Sequence, residues 1–375
     1  MYTGKKLGFG CMRLPRKADG TFDAEATKEL IDLYMDAGFT YFDTAYVYQN
    51  SEEVVGEALV KRYPRDSFRL ATKCSPWHGI QDICKSIDEV DKQFQASLER
   101  TGAGYFDNYL LHNLGESRTR ICNELGVWDW AQEKKEAGLV KNVGFSFHSS
   151  AEELEEILKA HPELDFVQLQ INYADWDSLS IQSRKCYEVA RKYDKPIIVM
   201  EPVKGGLLAS PPKAVEEILK EADPDASCAS WAIRFAAGLE GVMVVLSGMS
   251  SAEQVKENTA FMHDFQPLTR EEQGVIVRAR EEINKVPLIP CTSCFYCVNE
   301  CPNNINIAGC FTAMNALRLY HNMETAAQLE MLHTVGTGRQ RADACVECGK
   351  CEKVCPQHIS IRKELEEVRK TFIRG

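Results

Sequence analysis

The sequence predicts an α/β protein in two parts, a parallel (β/α)8 barrel followed by a small α-helical domain. Short apolar runs alternate with amphipathic stretches from the N-terminus to about residue 262, giving eight candidate strands with helices between them. No G-x-G-x-x-G follows the first apolar run, which counts against the open doubly wound sheet that is the alternative. Past residue 263 the strand rhythm stops, and two cysteine-rich runs flank a segment that is apolar at helical spacing.

In chain order the candidate strands are LGFG (7–10), FTYFDT (39–44), FRLATK (68–73), FDNYLLH (106–112), VKNVGFS (140–146), FVQLQI (166–171), PIIVME (196–201) and VMVVLSG (242–248). Each is rich in β-branched or aromatic residues and too short for a helix. The stretch DAEATKELIDLYMDAG, between the first two, has the 3.6-residue period of a helix. Asp23 can cap its start and Gly38 is placed to end it. The 263–290 stretch reads as a linker plus one helix, and the 43 residues between Cys301 and Cys345 leave room for helices. The expected division is a barrel over 1–265, a linker helix over 266–287 and a helical domain over 288–375.

Bulk properties narrow the function classes. The chain has 375 residues, 44% of them hydrophobic, enough for one large and one small core. Its net charge of −11 and pI near 5.4 exclude broad electrostatic attraction to nucleic acid or an anionic membrane. The N-terminal MYTGKKLGFGCMRL has no apolar stretch of signal-peptide length, and no apolar run nears the ~18 residues of a membrane span. The expected location is cytoplasmic.

Eight of the 15 cysteines sit in CTSCFYCVNECP (291–302) and CVECGKCEKVCP (345–356), which share one spacing. C-x2-C-x2-C wraps a loop round one corner of a cubane, and the distant Cys-Pro closes the opposite side. Two such runs allow each fourth cysteine to serve the other run's cluster. One [4Fe–4S] cluster is therefore assigned to Cys291, Cys294, Cys297 and Cys355, and a second to Cys345, Cys348, Cys351 and Cys301. Zinc also accepts four thiolates, but its sites take cysteines in pairs, and a third at the next x2 step would be surplus. The other seven cysteines read as small buried hydrophobes.

A second constellation lies at the predicted strand ends. FDTAYVY supplies Asp43 and Tyr48 five residues apart, LATK ends the third strand with Lys73, and YLLH ends the fourth with His112. Barrel enzymes carry catalysis on that face. Reducing a carbonyl needs a proton donor at oxygen while hydride reaches carbon. Tyrosine gives up its proton reluctantly at a pKa of ~10. A neighbouring Lys73 ammonium would favour the phenolate and lower that value. Asp43 would hold Lys73 charged, and His112 could orient or polarise the carbonyl oxygen.

Over residues 5–262 these motifs resemble the aldo/keto reductase superfamily, and the cysteine-rich tail narrows the resemblance to its iron–sulfur branch, with a ferredoxin-type domain of two clusters. The resemblance implies NAD(P)H-linked interconversion of a carbonyl and an alcohol, with Tyr48 as general acid/base. It also implies that Ser146 in GFSFH and Gln168 in FVQLQINY hold the nicotinamide carboxamide. The family's common Asn after that Ser is replaced by Phe147 and then His148, and Met200 or Glu201 stands where the family often stacks an aromatic ring. GMSSAEQVKEN resembles the phosphate-binding segment and keeps Glu257 and Asn258. Gly248 and Gln254 stand where Lys and Arg are frequent, so a preference for NADPH is not supported. Trp77 and His78 either line a substrate pocket or pack on the neighbouring loop.

Two other readings stay open. In one, a ferredoxin- or flavin-linked oxidoreductase passes electrons from the clusters to the barrel, with FMN as a further cofactor and a ferredoxin-like redox partner. In the other, the barrel is a scaffold for electron transfer or interaction. The expected partner of the first reading is a small-molecule carbonyl or alcohol, with no nucleic acid and no membrane.

Overall fold

The computed structural model describes residues 2–373 apart from 18–20, 49, 79–81, 116, 180, 290, 292–295, 354 and 356–358. Its strands are β1 (Leu7–Gly10), β2 (Tyr41–Asp43), β3 (Arg69–Cys74), β4 (Trp77–His78), β5 (Asp82–Ile83), β6 (Phe106–Leu114), β7 (Val140–Phe147), β8 (Phe166–Gln170), β9 (Ile197–Met200) and β10 (Val242–Ser247). Eight of them close a parallel barrel in the order β1-β10-β9-β8-β7-β6-β3-β2, so each strand lies beside the next barrel strand of the sequence. Each expected strand sits within two residues of its observed ends. The sequence reading did not anticipate β4 and β5, a short antiparallel hairpin after β3.

Strand side chains alternate with period two, so one parity of each strand fills the barrel. Tyr41, Ala71, Leu110, Phe166, Ile198, Val244 and Leu246 form that interior plug. Gly144 belongs to the same layer for steric reasons: a Cβ there would stand 2.5 Å from the Phe166 carbonyl oxygen. The opposite parity packs outward under the helices in a larger core that includes Phe9, Phe42, Leu70, Leu111, Phe145 and Val167. Two residues beyond the plug on the same parity come Asp43, Lys73, His112, Ser146, Gln168 and Met200. The alternation that makes the core thus also delivers these polar side chains to the C-terminal mouth.

The helices carry the caps expected from their sequences. Asp23 Oδ1 accepts a 3.0 Å hydrogen bond from the Ala26 amide at the start of Ala24–Asp36, and Gly38 beyond its end takes φ +79°. Thr269 and Glu272 form a reciprocal capping box on Arg270–Asn284. This helix packs on Lys213–Ala222 and is tied down by Arg234–Glu272 (2.7 Å) and Arg280–Asp177 (3.2 Å).

The chain beyond is helical, with main helices Ile307–Tyr320, Met323–His333 and Ile361–Phe372. Its core joins Ile305, Ile307, Phe311, Ile361, Leu365 and Val368 to several of the cysteines. A separate apolar cluster forms the seam with the barrel. There Ala316, Leu319 and Tyr320 meet Tyr173 from the loop after β8, Leu207 and Leu208 from the loop after β9, and Trp231. Among the described residues, no helix is long and apolar enough to cross a membrane.

Phe166→Ala empties the middle of the plug, where the ring is fully buried. It should cost about 3–5 kcal/mol, read as a lower urea midpoint with an unchanged m-value.

Candidate active site

Lys73 is the centre of the mouth layer. Only 1% of it is exposed, and its ammonium donates to Asp43 Oδ1 at 2.5 Å and to the Thr44 carbonyl at 2.7 Å. Gln168, across the barrel on β8, donates to the other Asp43 oxygen at 3.2 Å. The carboxylate is therefore held from two strands. The Lys73 nitrogen lies 5.0 Å from the centre of the Tyr48 ring, and the Tyr48 and His112 rings meet edge to face at 5.8 Å. The structure brings Asp43, Tyr48, Lys73 and His112 together.

Their protonation follows from burial and from each other. Burial pulls Lys73 down, but Asp43 and then Tyr48 more than offset this, so it stays charged with a raised pKa. For Tyr48 the expectation was a net lowering by Lys73. Burial instead raises the phenol above its ordinary value, and Lys73 only opposes that rise. The phenol therefore keeps its proton at neutral pH. His112 falls well below the ordinary imidazole range, first through burial and then through Lys73, so it is neutral. His148 is pulled down to about 4 by burial, with Arg118 adding to the shift.

The residues expected to hold a nucleotide separate into two groups. Ser146 and Gln168 are register partners on β7 and β8, both nearly fully buried. Ser146 Oγ accepts from the Asn113 amide at 2.7 Å, which leaves its own proton to donate. Gln168 has committed its NH2 to Asp43, which leaves its oxygen as an acceptor. A hydroxyl donor beside an amide acceptor fits a carboxamide. Met200 ends β9, half-buried.

The second group follows β10. Gly248 is exposed, and a Cβ on it would meet nothing nearer than 3.8 Å, so space is open there. Gln254 is exposed and caps the Ser250 amide at 2.8 Å; Glu257 is exposed. Asn258 is buried and donates to Ser247 Oγ at 3.1 Å, which ties its helix to the end of β10.

Sequence reasoning missed several neighbours. Arg13, after β1, borders Gly205 and Gly248 and lies 3.9 Å from Glu201. It brings a cation to the region where Gly248 and Gln254 have none. The only sequence signal was its place just past the first strand. Ser75 Oγ lies 2.9 Å from His112 Nδ1, two residues beyond Lys73. The side chains of Trp77 and His78 lie outside the described residues.

In the C-terminal domain, Cys301, Cys345, Cys348 and Cys351 line one cavity with Pro302, Ile305, Ile307, Leu365 and Arg362. Cys291, Cys297 and Cys355 belong to the adjoining apolar core, and Cys294 lies outside the described residues. Cys301, Cys345, Cys348 and Cys351 form no disulfide. The four cysteines that line this largely apolar cavity are of the donor type an iron–sulfur cluster takes, while no three ligating side chains among the described residues are already gathered closely enough to hold a metal ion. The four come from two segments distant in sequence, and Cys301 joins the second run rather than its own.

Fold and mouth together define a (β/α)8 barrel with a buried charged pair at its mouth and a cysteine-bearing helical tail. The chain belongs to the aldo/keto reductase family, whose model matches residues 6–281, and residues 290–360 match the 4Fe-4S dicluster domain. An aldo-keto reductase of Strobilurus tenacellus is 32% identical over 222 residues, covering 56% of this chain and 62% of the relative, less than two thirds of its length. The NADH-specific methylglyoxal reductase of Escherichia coli (strain K12) is 26% identical over 280 residues, covering 62% of this chain and 82% of the relative. The holo form of an aldo-keto reductase from Bacillus halodurans superposes with a TM-score of 0.60 at 26% identity, over 74% of this chain and 92% of that one.

The buried pair at the mouth makes a test of its own. Lys73→Met strands the Asp43 carboxylate in the barrel and should cost about 3–5 kcal/mol by chemical denaturation. Adding Asp43→Asn should recover much of that loss, whereas additive losses would mean that the two side chains do not depend on each other.

Proposed function

We propose that this protein interconverts a small-molecule carbonyl and its alcohol with a nicotinamide nucleotide, Tyr48 serving as general acid and base. The observation that carries the reading is the buried Lys73–Asp43 pair set against Tyr48, since it fixes a cation beside that phenol at the mouth of the plug. When bound, nicotinamide supplies the hydride, and [4Fe–4S] clusters supply one-electron chemistry and cross-links between chain segments. Every other part is played by side chains.

Tyr48 holds its proton at neutral pH and hands it to a carbonyl oxygen that gains charge. Lys73 lowers the cost of the phenolate left behind, and Asp43 keeps Lys73 charged while Gln168 holds Asp43. Neutral His112 offers a ring N–H to the same oxygen without adding a charge. Ser146 and Gln168 would take the carboxamide, and Arg13 would face the phosphates. Asn258 in this reading braces the segment after β10 rather than touching the nucleotide. The relative named for NADH-specific methylglyoxal reduction supports both a nicotinamide donor and a small carbonyl substrate.

For the tail we propose two [4Fe–4S] clusters with crossed ligands, one held by Cys345, Cys348, Cys351 and Cys301, the other by Cys291, Cys294, Cys297 and Cys355. The four-cysteine cavity supports the first set. We keep the division into a barrel over 1–265, a connecting helix over 266–287 and a helical domain over 288–375. The seam supports a covering role for that domain, because Leu319 and Tyr320 pack on the loops after β8 and β9 that border the mouth.

Tyr48→Phe removes a proton donor and little volume. It should lower NADH- or NADPH-driven reduction of small aldehydes and ketones, methylglyoxal included, by about 10²–10⁴-fold. Nucleotide affinity and iron content should stay unchanged. Near-normal turnover in this variant would exclude Tyr48 as the acid.

Anaerobically purified protein should contain about eight iron and eight sulfide, as two cubanes require. Cys301→Ser should damage the cluster of the second run, so that Mössbauer spectra lose the signal that Cys345→Ser also removes. Loss instead of the signal removed by Cys291→Ser would mean that the ligands do not cross, and stoichiometric zinc without sulfide would end the cluster reading.

A further inference from the structure

Two elements outside the catalytic four converge on His112. The helix Ile87–Thr101 presents Gln93, whose side-chain amide clamps the backbone of Ser75 at both ends. Its oxygen accepts from the Ser75 amide at 3.1 Å, and its NH2 donates to the Ser75 carbonyl at 3.0 Å and to Cys84 Sγ at 3.4 Å. Ser75 is 1% exposed and Gln93 8%, so the clamp is screened from water. A residue held this way directs its side chain, and Ser75 Oγ lies 2.9 Å from His112 Nδ1.

We infer that Ser75 is a positioning residue: its clamped hydroxyl donates to Nδ1 and fixes His112 as the tautomer protonated on Nε2. This deepens the reading given under Proposed function and rests on it for the use to which the Nε2 proton is put. The direction of the hydrogen bond follows from accounting for buried protons. A serine hydroxyl has one proton to place, and among the described residues Oγ has no partner but His112. If Nδ1–H donated to Oγ, the hydroxyl proton would be buried without an acceptor, at a cost of order 1–3 kcal/mol. If Oγ–H donates to Nδ1, every buried proton is satisfied. The ring then carries its own proton on Nε2, for which no partner is found among the described residues. A neutral imidazole can present a proton to a carbonyl oxygen only in that form. The other tautomer would present a lone pair and repel it.

The test uses full-length holoprotein labelled with 15N-histidine, with His112 assigned by comparison with His112→Gln, and two-bond 1H–15N spectra. Wild type should show the Nε2–H pattern for His112. Ser75→Ala should replace it with a mixed or Nδ1–H pattern, and Ser75→Thr, which keeps the hydroxyl, should restore it. With methylglyoxal and NADH, Ser75→Ala should lower kcat by about tenfold with KM little changed, since a bond used mainly in the transition state is lost. An Nδ1–H pattern in wild type overturns the inference even if no variant folds, and so does a pure Nε2–H pattern in Ser75→Ala. A changed tautomer with unchanged turnover would leave Ser75 as the determinant and overturn the role given to His112 under Proposed function.

Discussion

A charged lysine inside a barrel is tolerable only if its counter-charge is there too, and the Lys73–Asp43 pair meets that condition at 2.5 Å with neither side chain open to water. The requirement reaches outward from the pair. Asp43 must come from the end of β2 and Lys73 from near the end of β3, adjacent strands whose register pairs Tyr41 with Arg69 and Asp43 with Ala71. A slip of one residue in either strand would turn its charge outward and bring an apolar side chain in. Gln168 then closes the carboxylate's remaining valence from the far side of the barrel. The pair couples barrel closure to the electrostatics of Tyr48, because the same ammonium sets the cost of deprotonating the phenol.

The barrel and its mouth were legible because two periodicities speak directly in sequence. Runs such as PIIVME and VMVVLSG are too short and too β-branched for helices, and Asp43, Lys73 and His112 fall at the ends of predicted strands in the order the family resemblance implies. What could not be read was anything depending on depth. Lys73 and burial pull Tyr48 in opposite directions, and only the enclosure of the site shows that burial wins. Ser75 and Gln93 carried no signal and Arg13 only its place just past the first strand, since such residues are common at these positions. Their meaning comes from contacts between residues 18 or more apart. The hairpin β4–β5 was invisible for a related reason: two-residue strands have no period to detect.

The tail shows the same division between pattern and contact. Cysteine spacing brings the ligand types and suggests a crossed assignment, but it does not show how the two runs approach each other. The path of the chain does, through the bridge between Ile305 and Gln340 and the hydrogen bond from Asn303 to the Ala344 carbonyl. These draw the end of the first run onto the start of the second, and Cys301 lines the same cavity as Cys345, Cys348 and Cys351. Arg341 reinforces the turn by pairing with the fully buried Glu330 at 2.8 Å. The crossed ligand sets proposed above rest on this approach of the two runs.

Barrel and tail meet where neither would be complete alone. Tyr173, Trp231 and Tyr320 bury their rings in the seam, yet Tyr173 Oη, Trp231 Nε1 and Tyr320 Oη have no hydrogen-bond partner among the described residues. Leaving such groups unmade is costly, so the gain must come from the rings, each of which removes a large apolar area from water. At these three rings the seam is therefore held by shape and hydrophobic burial, with ion pairs among the described residues only along the helix Arg270–Asn284. That suits a surface whose task is to hold two loops, those after β8 and β9, against a second core. Those loops carry Asp175 and Lys204, themselves paired at 2.5 Å beneath the mouth. A tail that lost its internal order would release the apolar support of both loops at once, and with them the wall of the site on the side of Glu201. The cysteine-bearing domain and the mouth of the barrel are in this way joined through one apolar seam.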